Sequence, residues 1–130
     1  MKILFRGLRT DGKGWVEGSP FFVEEENVAF IINNCQSLNL TSEDSTFKGL
    51  KVIPETLGQY TGLDDKNGNE IFVGDKLSPF SSNYQYEVVF QNGEFGVSNN
   101  IGYWGSLSKY RETCEKFNYH FEIIGNVHEQ

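Results

Sequence analysis

Alanine occurs once in the 130 residues, at Ala29, and methionine once. Long helices draw heavily on alanine, leucine, glutamate and lysine, so this scarcity excludes an all-helical chain. Only two cysteines are present, Cys35 and Cys114. They are too few for a disulfide framework and suit a reducing compartment. Positive charge is short as well: 11 lysines and arginines face 18 aspartates and glutamates, a formal net charge of -7. A protein that coats nucleic acid or anionic lipid with a basic face needs the opposite balance. No apolar run approaches the ~20 residues of a membrane-spanning helix, and the first residues lack the apolar stretch of a secretory signal. A soluble, cytoplasmic chain with no membrane contact is therefore expected.

What the chain does have is aromatic residues and turn formers: 11 Phe, 6 Tyr and 14 Gly. Phe, Tyr, Val and Ile favour half-buried strands, and Gly and Asn mark the bends between them. Residues 2–18 read as strand, turn, strand, with Thr10-Asp11-Gly12-Lys13-Gly14 as the turn. Lys2, Arg6, Arg9 and Lys13 make this opening basic, whereas Glu24-Glu25-Glu26 follow Phe21-Phe22-Val23. Both clusters fit a solvated edge; alternatively, the basic patch of one copy meets the acidic run of another. Val28–Ile32 is a short apolar run, consistent with a strand covered on both faces. Residues 33–49 are polar and read as a loop with one short strand near Ser37–Leu40.

The strongest pattern lies further on. Asn67-Gly68 marks a hairpin between the alternating residues before Asp64 and those from Glu70 to Val73. Tyr84, Tyr86, Val88 and Phe90 share one strand face, which places Phe90 in the core, and Asn92-Gly93 turns the chain towards Phe95 and Val97. Leu107, Tyr110, Cys114 and Phe117 recur at helical spacing after Ser106, predicting one short helix near 106–117. Residues 118–129 read as a final strand with Phe121, Ile123 and Val127 on one face.

Chemistry is hard to find in this inventory. Aligned as a calcium loop, residues 63–74 put Leu63 at the first ligand position and Gly74 where a bidentate glutamate is needed. Cys35, Cys114, His120 and His128 have no zinc-chelating spacing. No nucleophile elbow is present, neither cysteine has a histidine beside it in sequence, and Gly12-Lys13-Gly14 is too short for a phosphate loop. No catalytic residue, metal or cofactor is expected.

The string ETLGQYTGLDDKNGNEIFVGDKL (55–77) resembles the signature of the YopX family of bacteriophage and prophage proteins. ILFRG (3–7) with Trp15 and Val16, NGEFGV (92–97) and FEIIGNVHE (121–129) resemble the same family, with 24–50 as the divergent part. The resemblance implies a single YopX-like domain over 1–130, mainly β, with no established activity and no catalytic residues to carry over. The expected fold is a small, partly open barrel of antiparallel strands. Its N-terminal β-hairpin unit spans about 1–50, and its C-terminal part, about 51–130, is likened to a Src-homology barrel by fold analogy only. Arg6, Trp15, Gln59, Tyr60 and Thr61 form the candidate recognition surface, because polar and aromatic groups together on strands serve either packing or binding. The expected function is a non-catalytic binding or scaffolding module that self-associates or binds a phage or host protein. The alternative is a nucleic-acid-engaging factor in phage replication, with Trp15, Tyr84, Tyr86 and Trp104 as stacking candidates.

Overall fold

A computed structural model describes residues 2–33, 49–79 and 85–129. The short strand expected near Ser37–Leu40, Cys35 and Tyr84 lie outside the described residues. Among the described residues the chain is mainly β, with two antiparallel sheets and one short α-helix, and neither sheet closes into a full barrel. It divides into two compact units, 1–59 and 60–130.

In the first unit, β1 (Phe5–Leu8) and β2 (Trp15–Val23) form the expected hairpin, with Gly7 opposite Val16 and Leu8 opposite Trp15. Its turn is tied by Arg9 N–H to Gly14 O at 2.9 Å and by Lys13 N–H to Asp11 Oδ1 at 3.0 Å. β2 continues into β3 (Val28–Ile32) through a 3-10 turn at Glu24–Glu26 that ends on Asn27 in the left-handed region. β4 (Leu50–Val52) pairs with β3. The sheet then curls until Ile53 N–H donates to Leu8 O at 2.8 Å and Thr10 N–H to Lys51 O at 3.1 Å. Val16, Ala29, Ile31 and Val52 fill the inside of that curl, against Phe5, Leu50 and Leu57. β3 departs from its expected burial: Ala29 and Ile31 are buried, but Val28, Phe30 and Ile32 on the other face stay half-exposed. Among the described residues of this unit, the apolar cluster packs on the Ala29 and Ile31 side of that strand.

Strand β5 (Gly58–Asp64) starts beside β1, with Gln59 opposite Phe5 and Gly58 opposite Arg6, and runs on into the second unit. There it pairs with β6 (Glu70–Phe72). The main sheet of this unit has the order β10-β9-β8-β7-β11. Its strands are β7 (Asp75–Ser78), β8 (Tyr86–Gln91), β9 (Glu94–Asn99), β10 (Gly102–Ser106) and β11 (Glu122–Asn126). Helix α1 (Leu107–Lys116) follows β10, and its first turn is capped by the Ser106 hydroxyl, which accepts from Lys109 N–H. Ile71, Leu77, Val88, Val97, Leu107, Cys114 and Phe121 are the core.

Three residues expected on the core face are not in it. Phe90 is 60% exposed: it stands near the end of β8, past the stretch Tyr86–Glu87 that pairs with β7, and its ring meets Phe95 edge-on. Phe117 is exposed because α1 ends at Lys116, one residue before it. Val127 loses its phase with Ile123 because the pairing of β11 with β7 shifts between Ile123 and Gly125, and Asn126 turns inward instead.

Candidate functional site

Of the five residues singled out in the sequence, Arg6, Trp15 and Gln59 lie in the first unit and Tyr60 and Thr61 in the second. Arg6 and Trp15 do meet: their positions in the β1–β2 register are diagonal neighbours on one face, and the guanidinium lies 4.6 Å from the indole centroid. Gln59 is directly opposite Phe5 and therefore on the other face of the sheet from Arg6. Tyr60 and Thr61 are both buried, although they are consecutive in a strand. The pairing of β5 with β6 is irregular between Tyr60 and Asp64, and Gly62 adopts φ 87°, so strict alternation is lost there. The Tyr60 ring packs on Phe72, and its hydroxyl donates to Asp64 Oδ1 at 2.7 Å. That hydrogen bond, with burial and the Asp64 charge, raises the Tyr60 phenol to about 12. Thr61 donates to Ile71 O at 2.8 Å and accepts from Leu63 N–H at 3.2 Å. Tyr60 and Thr61 therefore spend their polar atoms on the fold.

The basic turn beside Arg6 and Trp15 is ordered by its own charges. Arg9 Nη2 donates to Asp11 Oδ2 at 2.6 Å. The backbone N–H of Lys13 is the main reason the Asp11 carboxyl is held below its ordinary value, with the Arg9 hydrogen bond adding to it against some desolvation. Lys13 is exposed at the tip.

Asp65 has a role that the sequence analysis did not assign. Its Oδ1 accepts from Asn67 N–H and Asn69 N–H, both at 2.9 Å, and its Oδ2 accepts from Ile123 N–H at 3.1 Å. One side chain thus shapes the β5–β6 turn and fastens it to β11. Burial pushes the Asp65 carboxyl up, but these backbone donors outweigh it and hold the value below normal. Asn67-Gly68 marks the turn in the sequence, whereas the tie from Asp65 to a partner fifty-eight residues away has no sequence signal. Asp75 plays a similar part, accepting from Phe72 N–H at 2.8 Å and Asn126 Nδ2 at 3.3 Å while buried.

Trp104, a stacking candidate by sequence, sits on a braced loop that sequence inspection missed. At the tip of the β9–β10 hairpin, Asn99 Oδ1 accepts from Ile101 N–H at 2.9 Å, Gly102 N–H at 3.3 Å and Trp104 Nε1–H at 2.8 Å. The result is a braced loop on which Ile101 is 80% and Trp104 52% exposed. Behind it, Tyr103 donates to Glu94 Oε1 at 2.7 Å, and desolvation together with that bond raises its phenol to about 12.

Cys114 and Tyr110 serve packing. The Cys114 thiol is buried and pushed up, chiefly by desolvation, which disfavours the nucleophilic thiolate. Tyr110 stacks on Phe121 and tilts against Tyr86, and burial raises its phenol well above the usual range. His120 and His128 are exposed. Among the described residues, no group of three or more His, Cys, Asp or Glu side chains is placed to hold a metal ion, and no helix is long and apolar enough to cross a membrane. What the surface offers is shallow grooves. One, of about 360 Å³, lies between Leu63, Phe90, Phe95 and the start of α1; another, of about 340 Å³, lies in the first unit beside Phe22. The chemistry they can supply is apolar contact with a polar margin.

No curated protein matches the chain. The family model described as YopX protein matches residues 4–130, which is nearly every residue of the sequence, and the chain belongs to the YopX family.

Proposed function

We propose that this chain is a non-catalytic binding or scaffolding module of a bacteriophage or prophage. It acts in the cytoplasm of the bacterial host by assembling with copies of itself or with a phage or host protein. The observation that carries this reading is the contrast between buried and exposed groups. The buried ionisable side chains Asp65, Asp75 and Tyr60 are committed to hydrogen bonds within the fold. Bulky apolar side chains, by contrast, stand exposed on braced turns and strand ends: Ile101, Trp104, Phe21 and Phe22. Preorganised apolar anchors of this kind are what a contact surface requires, because little conformational freedom remains to be lost on binding.

Light scattering of the purified chain, alone and after affinity capture from prophage-carrying cells, tests the proposal. Assembly beyond the monomer, or stoichiometric retention of one phage or host protein, supports it. A strict monomer at micromolar concentration that retains nothing overturns it.

The Arg6–Trp15 stack favours one other reading, a nucleic-acid-engaging accessory factor in phage replication. The net charge of -7 works against it. A mobility shift that weakens steeply with salt supports this alternative, and the lack of any shift at low salt ends it.

A further inference from the structure

The first unit carries two complementary surfaces at opposite ends of β2. At the C-terminal end lies the shallow groove of about 340 Å³, walled by Phe22, Pro54 and Leu57 and edged by Asn27 and Glu55. Phe22 is 48% exposed there, although it is directly opposite the fully buried Ala29. Glu24, Glu25 and Glu26 follow in an exposed 3-10 turn, and Glu55 is exposed on the groove itself. Among the described residues, no lysine or arginine lines this groove. At the N-terminal end is the β1–β2 turn, where Lys13 is exposed, Arg9 is bonded to Asp11 and Arg6 lies over Trp15. Lys2, Arg6, Arg9 and Lys13 outnumber Asp11 in the first sixteen residues.

We propose that the groove beside Phe22 receives the basic β1–β2 turn of a second copy of this chain. This rests on the self-association named under Proposed function and gives it a geometry. Lys13 of the incoming copy faces the Glu24–Glu26 and Glu55 carboxylates, and the half-buried Trp15 with its stacked Arg6 covers the apolar wall. An apolar centre with an ionic margin is the usual construction of such a contact, and the like charge of two acidic grooves disfavours the alternative in which they meet face to face. The two surfaces are held apart by the length of β2, about 26 Å for its eight residue steps at ~3.3 Å each. Each copy therefore has one surface to give and one to receive. The contact is heterologous, and repeated copies produce a ring or a filament instead of a two-fold dimer.

Two variants test this, and neither alters a core residue. Lys13→Glu spoils the turn, and Phe22→Lys spoils the groove. Each alone is expected to weaken self-association at least tenfold by sedimentation velocity. Mixed in equal amounts, they are expected to give a two-chain complex and nothing longer, because only the intact groove of one and the intact turn of the other can pair. Matching circular-dichroism melts show that the variants fold, and Glu55→Lys replaces Phe22→Lys if that variant does not. Variants that assemble as the parent does, or a mixture that stays monomeric, overturn the head-to-tail contact while self-association itself stands. A parent chain that never leaves the monomer overturns the self-association reading and this inference together.

Discussion

Replacing Asp65 with alanine removes one carboxylate and leaves three backbone N–H groups without their acceptor: Asn67, Asn69 and Ile123. The two turn amides face a polar loop and recover much of their loss from water. The Ile123 amide lies in a strand beside the core and recovers less. A buried donor left unsatisfied costs about 1–3 kcal/mol, and a hydrogen bond to a charged group contributes about 1.5–3 kcal/mol. Counting the Ile123 amide fully and the two turn amides partly gives a loss of about 3 kcal/mol, a large share of the ~5–15 kcal/mol that stabilises a typical domain. Amide hydrogen exchange reads this at one atom. The Ile123 N–H should be strongly protected in the parent and about a hundredfold less so in Asp65→Ala, since ~1.4 kcal/mol corresponds to a factor of ten. The same carboxylate makes stability depend on pH. Its folded value lies below the ordinary 3.8, so its contribution is complete above that pH. As the pH falls below 3.8 the unfolded chain takes up the proton first, and the contribution is lost until the folded carboxyl is protonated as well. Unchanged Ile123 protection in the alanine variant would refute the stapling role.

Three other substitutions or titrations have definite outcomes. Phe90→Ala should cost only about 0.5–1.5 kcal/mol in a urea melt, the worth of its edge-on contact with Phe95, instead of the ~3–5 kcal/mol of a core phenylalanine. Gly96→Ala should cost about 1–3 kcal/mol or more, because the added methyl would sit 2.6 Å from Gly105 O and closer still to the Tyr103 ring; a melting temperature like the parent's would show that this strand pair is misplaced. In an alkaline titration followed by phenolate absorbance, Tyr60 and Tyr103 should stay protonated to about 12, the first held by Asp64 and the second by desolvation and Glu94. Their raised values mean that the stabilisation is complete below the ordinary 10.0 and is lost as the pH rises from there towards 12.

Local turn chemistry was the most legible part of the sequence. Asn92 and Gly93 both adopt positive φ, 57° and 77°, between the paired residues Gln91 and Glu94, as an Asn-Gly hairpin turn requires. Gly68 likewise adopts φ 81°, and Ser106 caps the one helix where the spacing of Leu107, Tyr110 and Cys114 placed it. What could not be read was where alternation loses phase. Period-two patterns say which residues share a face only until a bulge resets them, and bulges at Ile124 and near Gly62 moved Val127 out and both Tyr60 and Thr61 in. Alternation is also silent on where a face stops being covered, which is why Phe90 looked like core. Of the candidate recognition residues, Arg6 and Trp15 are the cross-strand pair that meets. Asn99 and Asp65 draw their meaning from bonds to other elements or across a tight loop, and the groove beside Phe22 joins β2 to residues more than thirty positions later.

Sedimentation velocity of the unmodified chain, from low to high micromolar and at low and high salt, examines most directly whether this protein works by contact with its own kind. Species larger than a monomer should grow with concentration and shrink as salt screens the Lys13 and Glu24–Glu26 charges. A single monomeric boundary at every concentration and salt would contradict self-assembly.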